Sequence, residues 1–340
     1  MDRNMTTAAS GPPWTKPGWL ERVSAWIHAE LENLDTLVTD PIEQPHVRPW
    51  STVLRIPTSN GDVFFKACAQ VLTHEVVVTQ ALAHWYPDCT PKVLASDPEQ
   101  GWMLMADGGM TAREAIKTEG TLRHWEKLLP RYAELQIELV GHAEELLVLG
   151  IPDRRMAALP GKIERLLDDE DMLRIDQPDG LTAAEYHRLR GMVPHLIARC
   201  ERLAAYGIPE SIHHGDFHDA NIFLDGDSYV FFDWGDSSIA HPFFSLRTAF
   251  VIIEHFQGLK QGAPEYDRLR DAYLEPWRHA GTREDLLAAF ALSARLSPLS
   301  SALGWARVVS SLEEPLRAHY ADAVPSLLQE FLELEDQAVS

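Results

Sequence analysis

The stretch IHHGDFHDANIFLDGDSYVFFDWGD, residues 212–236, decides the fold class of this chain. It holds three histidines and six aspartates around two β-like apolar runs, and the Asp-Gly pair between the runs predicts a hairpin turn. A reaction at phosphate needs hard oxygen ligands for a divalent metal, and a carboxylate that orients or deprotonates the attacking hydroxyl. Asp216, Asn221 and Asp233 supply those groups, with Asn221 five residues after Asp216 and Asp233 after the second run. The stretch therefore predicts a site for chemistry at phosphate.

The order of these groups parallels the protein kinases, in which a catalytic loop precedes a metal-binding triplet. HGDFHDAN at 214–221 and DWGD at 233–236 resemble the signatures of the aminoglycoside phosphotransferases and the choline-kinase-like small-molecule kinases, which share the protein-kinase fold. Looser similarity extends over residues 45–260. The resemblance implies an α+β, bilobal protein-kinase-like fold. Its N-lobe would have a small antiparallel sheet with one main helix, and its large, mostly helical C-lobe would carry the catalytic hairpin.

The resemblance also implies an activity and a role for each candidate residue. The protein would be a small-molecule O-phosphotransferase that uses ATP (or GTP) and Mg²⁺ and has an alcohol group as acceptor. Asp216 would be the catalytic base, and Asn221 and Asp233 would hold the metal. Lys66 would contact the nucleotide phosphates and pair with Glu75. The other implied nucleotide contacts are Ser51, Met105 as the residue that gates the pocket, and the backbone of Ala106 and Gly108.

Two features depart from the family pattern, and a third departs only from the pattern of the protein kinases. No Gly-rich loop precedes the predicted strand at 51–57, so Arg48, Ser51 and backbone groups would meet the phosphates. Gly215 stands where protein kinases have an arginine, and this is usual in the family. Ser245 stands where relatives often carry an aspartate that braces the catalytic loop, and its hydroxyl would replace that carboxylate in part.

The predicted organisation has three parts. Residues 1–16 form a flexible tail, residues 17–107 a nucleotide-binding N-lobe, and residues 108–340 a helical C-lobe with the catalytic loop and the acceptor site. Apolar residues three to four apart predict helices over most of 111–205 and 243–337. The predicted N-lobe elements are, in order, a helix at 18–34, a hairpin of strands 51–57 and 63–68 joined by Asn60-Gly61, a helix capped by Thr73, and two short strands around Asp97-Pro98.

Composition narrows the classes of partner and compartment. A formal net charge of −21 argues against nucleic acid or an anionic membrane as the main partner, because both favour basic proteins. Three cysteines without CxxC spacing predict no disulfide framework and no cysteine zinc site. No signal-peptide pattern opens the chain, and no apolar run approaches the roughly 18 residues that span a bilayer. We therefore expect a cytoplasmic protein, with its oligomeric state left open.

The acceptor is predicted from charge. Asp219, Asp236 and Glu254 lie within or just after the catalytic hairpin, and together with the net charge of −21 they favour a cationic, amine-bearing compound such as an aminoglycoside or amino sugar. The alternative keeps these acids as solvated surface and makes the acceptor a neutral sugar, a macrolide or another metabolite.

Two functions of other classes stay open at this point. A metal-dependent phosphohydrolase would use His213, His214, Asp216, His218 and Asp233 as a two-metal cluster, but it gives Lys66 no role. A catalytically silent nucleotide-binding protein would keep the fold without the reaction, although the residues that the reaction needs are all present.

Overall fold

The computed structural model describes residues 11–226 and 228–337. These residues form two compact units. The first unit extends to Asp107 and also includes Val308–Tyr320, whereas the second comprises Gly108–Arg307 and the residues from Ala321 onward. The sequence analysis assigned all of 108–340 to one lobe, so the membership of Val308–Tyr320 in the first unit differs from that expectation.

A five-stranded antiparallel sheet forms the centre of the first unit, with strand order β1-β2-β3-β5-β4. The strands are β1 (Glu43–Val47), β2 (Ser51–Thr58), β3 (Gly61–Cys68), β4 (Val93–Asp97) and β5 (Trp102–Ala106). Its helices are α1 (Trp19–Asn33), α2 (His74–Trp85) and the short α12 (Leu316–His319).

Helix α1 carries an apolar stripe at every fourth residue that packs on this sheet. Trp19, Val23 and Ile27 are buried and belong to one core cluster with Leu54 and Phe65 of β2 and β3. Burial in β2 alternates along the strand, as expected for a sheet with one face against a helix. The cluster therefore fixes which face of β3 points into the core.

Several first-unit expectations need correction. The β2–β3 hairpin pairs Thr58 with Gly61, so its loop begins one residue earlier than the predicted Asn60-Gly61 turn. Strand β1 was not predicted, because its five residues are all exposed and lack apolar alternation. Thr73 precedes α2, but its hydroxyl donates to the Gln70 carbonyl instead of capping the helix.

The predicted flexible tail also changes in extent. Residues 1–10 lie outside the described residues, but Pro13–Thr15 form a 3₁₀ turn and Trp14 is 6% exposed. The Trp14 indole N–H donates to the Arg48 carbonyl oxygen at 2.8 Å. The segment from residue 11 therefore belongs to the packed unit and not to a flexible tail.

The second unit is mostly helical. Its helices are α3 (Ala112–Glu119), α4 (Arg123–Leu139), α5 (Ala143–Val148), α6 (Leu159–Leu167), α7 (Glu170–Leu173), α8 (Ala183–Ala204), α9 (Leu246–Gln257), α10 (Pro264–Leu274), α11 (Arg283–Ser310, which ends within the first unit) and α13 (Ala323–Gln337). Helix α4 continues through Pro130. Its strands pair as β6 (Ser211–His213) with β9 (Ser238–Ala240), and as β7 (Ile222–Asp225) with β8 (Ser228–Phe231).

One helix in the described part of the chain, α11, is long and apolar enough to cross a membrane by length and composition alone. Of its most apolar window, 61% is buried inside the protein, as in the core helix of a folded domain. That burial explains the composition of α11 without a membrane.

Candidate active site

The quoted stretch folds into a compact turn-and-hairpin unit. Strand β6 ends at His213 and leads into residues 214–221, which we call the HGD loop. The β7–β8 hairpin follows, with Asp225 opposite Ser228, and leads to Asp233. Within the HGD loop, Phe217 is fully buried and stacks on Tyr132 at a ring-centroid distance of 3.9 Å. This stacking anchors the loop in the core between Asp216 and His218.

The Asp216 carboxylate is both held in place and accessible. Asn221 Nδ2 donates to the Asp216 carbonyl oxygen at 3.0 Å and to its Oδ2 at 3.1 Å. His218 Nε2 lies 3.2 Å from the same Oδ2, and the Asp216 side chain is 43% exposed. The loop therefore presents a carboxylate that is fixed on one side and open to a reactant.

Asp216 and His218 influence each other's protonation. Burial by itself opposes the charged form of each group, but their hydrogen bond and mutual attraction act in the opposite direction and prevail. The pKa of Asp216 is lowered and that of His218 is raised as a result. Asp216 is therefore ionised at neutral pH.

Asn221 and Asp233 provide oxygen atoms beside the HGD loop. Asn221 Nδ2 donates to Asp216. The oxygen of the same amide, Asn221 Oδ1, receives no hydrogen bond from any described residue. Asp233 has a φ of +67° and ψ of 60°, in the left-handed region that non-glycine residues rarely occupy. Such backbone strain is frequent where a side chain must be aimed at a functional site.

His214 braces the loop from below. Its Nε2 lies 2.8 Å from the Phe232 carbonyl oxygen, and because a carbonyl can only accept, Nε2 carries the hydrogen of this bond. Its backbone N–H donates to the Tyr132 hydroxyl at 3.2 Å. Burial lowers the pKa of His214, which keeps the ring neutral. These bonds make His214 a structural residue that holds the HGD loop.

Ser245 lies at the centre of a second, buried network behind β6. Its Oγ is 3.0 Å from His213 Nδ1 and 3.1 Å from the Tyr132 hydroxyl. Gln136 Nε2 donates to the Ile212 carbonyl at 2.7 Å and lies 3.4 Å from Ser245 Oγ. Burial lowers the pKa of His213 well below its ordinary value, so the network is neutral. The serine therefore braces the loop through hydrogen bonds, with no carboxylate at this position.

Two glycines are required by close packing. Gly215 has a φ of +82°, and a Cβ there would lie 2.2 Å from the Asp236 carbonyl oxygen. No arginine fits at Gly215, and this explains the departure from the protein-kinase pattern. At Gly108, a Cβ would lie 2.2 Å from the Phe223 ring, so the backbone approaches that ring directly.

The acids predicted to bind the acceptor lie in three different environments. Asp219 is 2% exposed and ion-paired with Arg113, whose Nη2 is 2.7 Å from Asp219 Oδ1. Burial and this ion pair weigh against contact between Asp219 and an acceptor, because the charge of Asp219 is already balanced by Arg113. Asp236 is half-buried and acts electrostatically on two arginines, Arg154 and Arg307. Only Glu254, on α9, is exposed.

The first unit holds the predicted Lys66–Glu75 pair. Lys66 Nζ lies 2.5 Å from Glu75 Oε1, with side chains 8% and 2% exposed. Cys68 Sγ donates to Glu75 Oε2 at 3.0 Å. Strand β3 and helix α2 thus bring together two residues nine apart in sequence.

The other predicted nucleotide contacts in this unit lie at the ends of β2 and β5. Ser51 is buried at the start of β2, and its carbonyl accepts from the Arg48 N–H at 2.8 Å. Met105 is partly buried against a cluster that includes Met103. The Ala106 N–H donates to the Lys92 carbonyl at 3.0 Å.

The metal cluster of the phosphohydrolase alternative is not formed. In the part of the chain that the structure describes, no three His, Cys, Asp or Glu side chains are arranged to hold a metal ion. His213 and His214 are buried and engaged with Ser245 and Phe232. Two of the proposed ligands are therefore occupied in bracing the loop.

Sequence reasoning missed the roles of Arg113 and His218. Arg113 lies 106 residues before its partner Asp219, and no local pattern indicates such a pairing. His218 was considered only as a metal ligand, although its position two residues after Asp216 places both side chains on the same side of Phe217.

Comparison with known proteins agrees with this geometry. Residues 64–284 match the model of a family described as the phosphotransferase enzyme family. An ethanolamine kinase from Plasmodium vivax has a TM-score of 0.61 and 14% identity, with 92% of this chain and 90% of that chain covered. A choline/ethanolamine kinase family protein from Mesorhizobium loti has a TM-score of 0.60 and 18% identity, with 91% of this chain and 95% of that chain covered.

A macrolide 2′-phosphotransferase from Brachybacterium faecium has a TM-score of 0.54 and 15% identity, with 88% of this chain and 97% of that chain covered. No curated protein matches significantly. At these identities the likeness shows the fold, and the α+β, protein-kinase-like fold predicted from the sequence is confirmed.

Proposed function

The chain belongs to the phosphotransferase enzyme family, and from this premise we propose that it transfers the terminal phosphoryl group of ATP (or GTP), with Mg²⁺, to a hydroxyl of a small molecule. One observation carries the proposal: the Asp216 carboxylate is held by Asn221 and His218 and is still 43% exposed. A carboxylate in that state can accept a hydrogen bond from an incoming hydroxyl.

Asp216 orients and deprotonates the acceptor in this proposal. Its lowered pKa makes it ionised but weakly basic, so its first contribution is to aim the hydroxyl oxygen at the phosphorus. Phosphoryl transfer has a loose transition state, in which the proton leaves late and positioning supplies much of the rate. A fixed, ionised carboxylate suits that reaction.

The donor set beside Asp216 fits Mg²⁺. Asn221 Oδ1 has no hydrogen-bond donor among the described residues, and Asp233 adds a carboxylate on a strained backbone. Hard oxygen atoms of this kind are what Mg²⁺ binds. Asn221 and Asp233 would hold the ion, which neutralises charge on the phosphates when bound.

The first unit supplies residues proposed to bind the nucleotide. Lys66, kept in place by Glu75, would contact phosphate oxygens, and Ser51 would assist in place of a Gly-rich loop. Burial of the ion pair supports this role, because a buried lysine and glutamate are seldom retained for stability alone. The backbone of Ala106, next to Met105, would contact adenine.

Fewer acidic side chains support a cationic acceptor than the sequence analysis predicted. The net charge of −21 still favours a cationic acceptor, such as an aminoglycoside or amino sugar. Of the three acids predicted to bind it, however, Asp219 pairs with Arg113 and Asp236 lies in the field of two arginines. Glu254 alone is exposed and keeps its proposed role.

A coupled assay of ADP formation tests the proposed function. Purified protein with Mg-ATP is supplied in turn with ethanolamine, choline, kanamycin, erythromycin and glucose, and each rate is compared with the rate without acceptor. We expect one compound class to stimulate ADP formation and Asp216→Asn to lower kcat by about 10²-fold or more, with KM for Mg-ATP little changed. Equal rates for Asp216→Asn and wild type refute the assignment, and metal-dependent cleavage of a simple phosphoester without nucleotide would favour the phosphohydrolase.

A further inference from the structure

His218 holds the Asp216 carboxylate together with Asn221, and its own part in the proposed reaction follows from its contacts within the HGD loop. Its side chain is 17% exposed and makes two separate contacts within the loop. The Ala220 N–H donates to Nδ1 at 3.2 Å, and Nε2 lies 3.2 Å from Asp216 Oδ2. The ring therefore spans the loop from its 3₁₀ turn to the carboxylate.

The first contact fixes the tautomer of the ring. Because Nδ1 accepts a hydrogen bond from the Ala220 N–H, the neutral imidazole carries its own hydrogen on Nε2. That hydrogen points at Asp216 Oδ2, to which Asn221 Nδ2 also donates at 3.1 Å. Two donors thus converge on one carboxylate oxygen and lie 3.4 Å apart.

Oδ1 of Asp216 is left with no hydrogen bond from any described residue. A carboxylate oxygen with two donors is a poorer acceptor than its bare neighbour, so a reactant hydroxyl is directed to Oδ1. We propose that His218 is a positioning residue that fixes the Asp216 carboxylate through Oδ2 and reserves Oδ1 for the acceptor hydroxyl. This inference rests on the proposed function of Asp216.

The surroundings hold His218 rigidly enough for this role. Asp219, the next residue, is buried and bonded to Arg113 of α3. The Arg113 guanidinium lies 4.9 Å from the ring centroid of Phe256, on α9. Helix α3 therefore holds the 3₁₀ turn through Arg113, which lies over Phe256 of α9, and the Ala220 N–H of this turn orients the imidazole. On the other side, Phe217 is fixed in the core.

Two substitutions separate the contacts of His218. In His218→Asn the amide oxygen can occupy the place of Nδ1 and accept the Ala220 N–H, because Asn is a good residue before a turn, but nothing reaches Asp216. In His218→Gln the longer side chain places an amide N–H near the position of Nε2. The first variant keeps the turn and loses the donor, and the second keeps the donor.

Kinetics are measured with whichever of ethanolamine, choline, kanamycin, erythromycin and glucose stimulates ADP formation by the wild type. We expect His218→Asn to lower kcat by about 10- to 100-fold, with KM for Mg-ATP within about twofold, and His218→Gln to recover most of the loss. In an Asp216→Asn background, His218→Asn should have almost no further effect, because it acts through the carboxylate that has been removed.

The outcomes separate this inference from the function on which it rests. If Asp216→Asn abolishes turnover but His218→Asn is as fast as wild type, the positioning role is refuted and the proposed function stands. Additive losses in the double variant, or equal losses in His218→Asn and His218→Gln, also refute it, because either result means that His218 acts through folding. If Asp216→Asn matches wild type, both proposals fail. Urea unfolding midpoints of all variants report on the fold.

A nitrogen NMR spectrum of the wild-type imidazole provides a test without any acceptor. At high pH, where the ring is neutral, His218 should be the tautomer with hydrogen on Nε2. Hydrogen on Nδ1 would contradict the bond from Ala220 and overturn the inference.

Discussion

Replacement of Gly215 by alanine should both destabilise the protein and slow its reaction. A Cβ at this position would lie 2.2 Å from the Asp236 carbonyl oxygen and 2.8 Å from its Cβ, so backbone must move. The φ of +82° adds strain of about 1–2 kcal/mol for any residue with a side chain. Overpacking against a fixed neighbour adds about 1–3 kcal/mol. The expected loss in the free energy of unfolding is therefore about 2–5 kcal/mol, the sum of the two effects.

Gly207 is the matched control for this experiment. Its φ of +73° is similar, but a Cβ there would have no heavy atom within 4 Å, so Gly207→Ala adds the strain without the overlap. Urea unfolding should show a loss of about 1–2 kcal/mol for the control. Because Asp216 follows Gly215, only Gly215→Ala should also lower kcat. Equal unfolding free energies for the two variants, with full activity in both, would refute the argument from close packing.

Three further outcomes follow from charge and burial. Glu75→Ala should lower the free energy of unfolding by about 3–5 kcal/mol and raise KM for Mg-ATP, because Lys66 loses a buried partner. A loss of unfolding free energy below about 1 kcal/mol, measured by calorimetry, would contradict this. Burial lowers the pKa of His241 to about 3, below its unfolded value near 6.5, so its contribution to stability is present above about pH 6.5 and is lost as pH falls towards 3. His241→Asn keeps an acceptor for the Phe243 N–H and should make the urea unfolding midpoint less dependent on pH over that range. A pH dependence equal to that of the wild type would contradict this role of His241. Added salt should raise KM for a cationic acceptor without changing kcat. A KM that does not change with salt would indicate that the net charge of −21 serves solubility and not acceptor binding.

Local chemistry determined the HGD loop and the hairpin from the sequence alone. Asp216 and Asn221 are five residues apart, and a loop of that length can bring them together only by folding back on itself, as it does. Asp233 follows a strand paired with its neighbour across a short turn. Such arrangements depend on contacts between residues close in the chain, and spacing and turn chemistry report these contacts directly.

The Lys66–Glu75 pair was predicted from the family resemblance, and it links β3 to the helix that follows it. The turn before that helix was not: Gln70–Leu72 form a 3₁₀ segment and displace the cap expected of Thr73. Strand β1 also escaped prediction, because an exposed edge strand needs no apolar pattern and is held by the hydrogen bonds of β2.

Only the tertiary structure decided what each acidic side chain does. Asp219 looks like a ligand in the sequence, but α3 brings Arg113 against it from 106 residues away and buries the pair. Asp236 is set near Arg154 by packing that the spacing of residues does not encode. The reason is physical: the effect of a charge depends on its burial and on the nearest opposite charge, and both are fixed by elements distant in the chain. The sequence by itself therefore determined the fold and the groups proposed to react, whereas tertiary packing decided which of the predicted acids stay exposed.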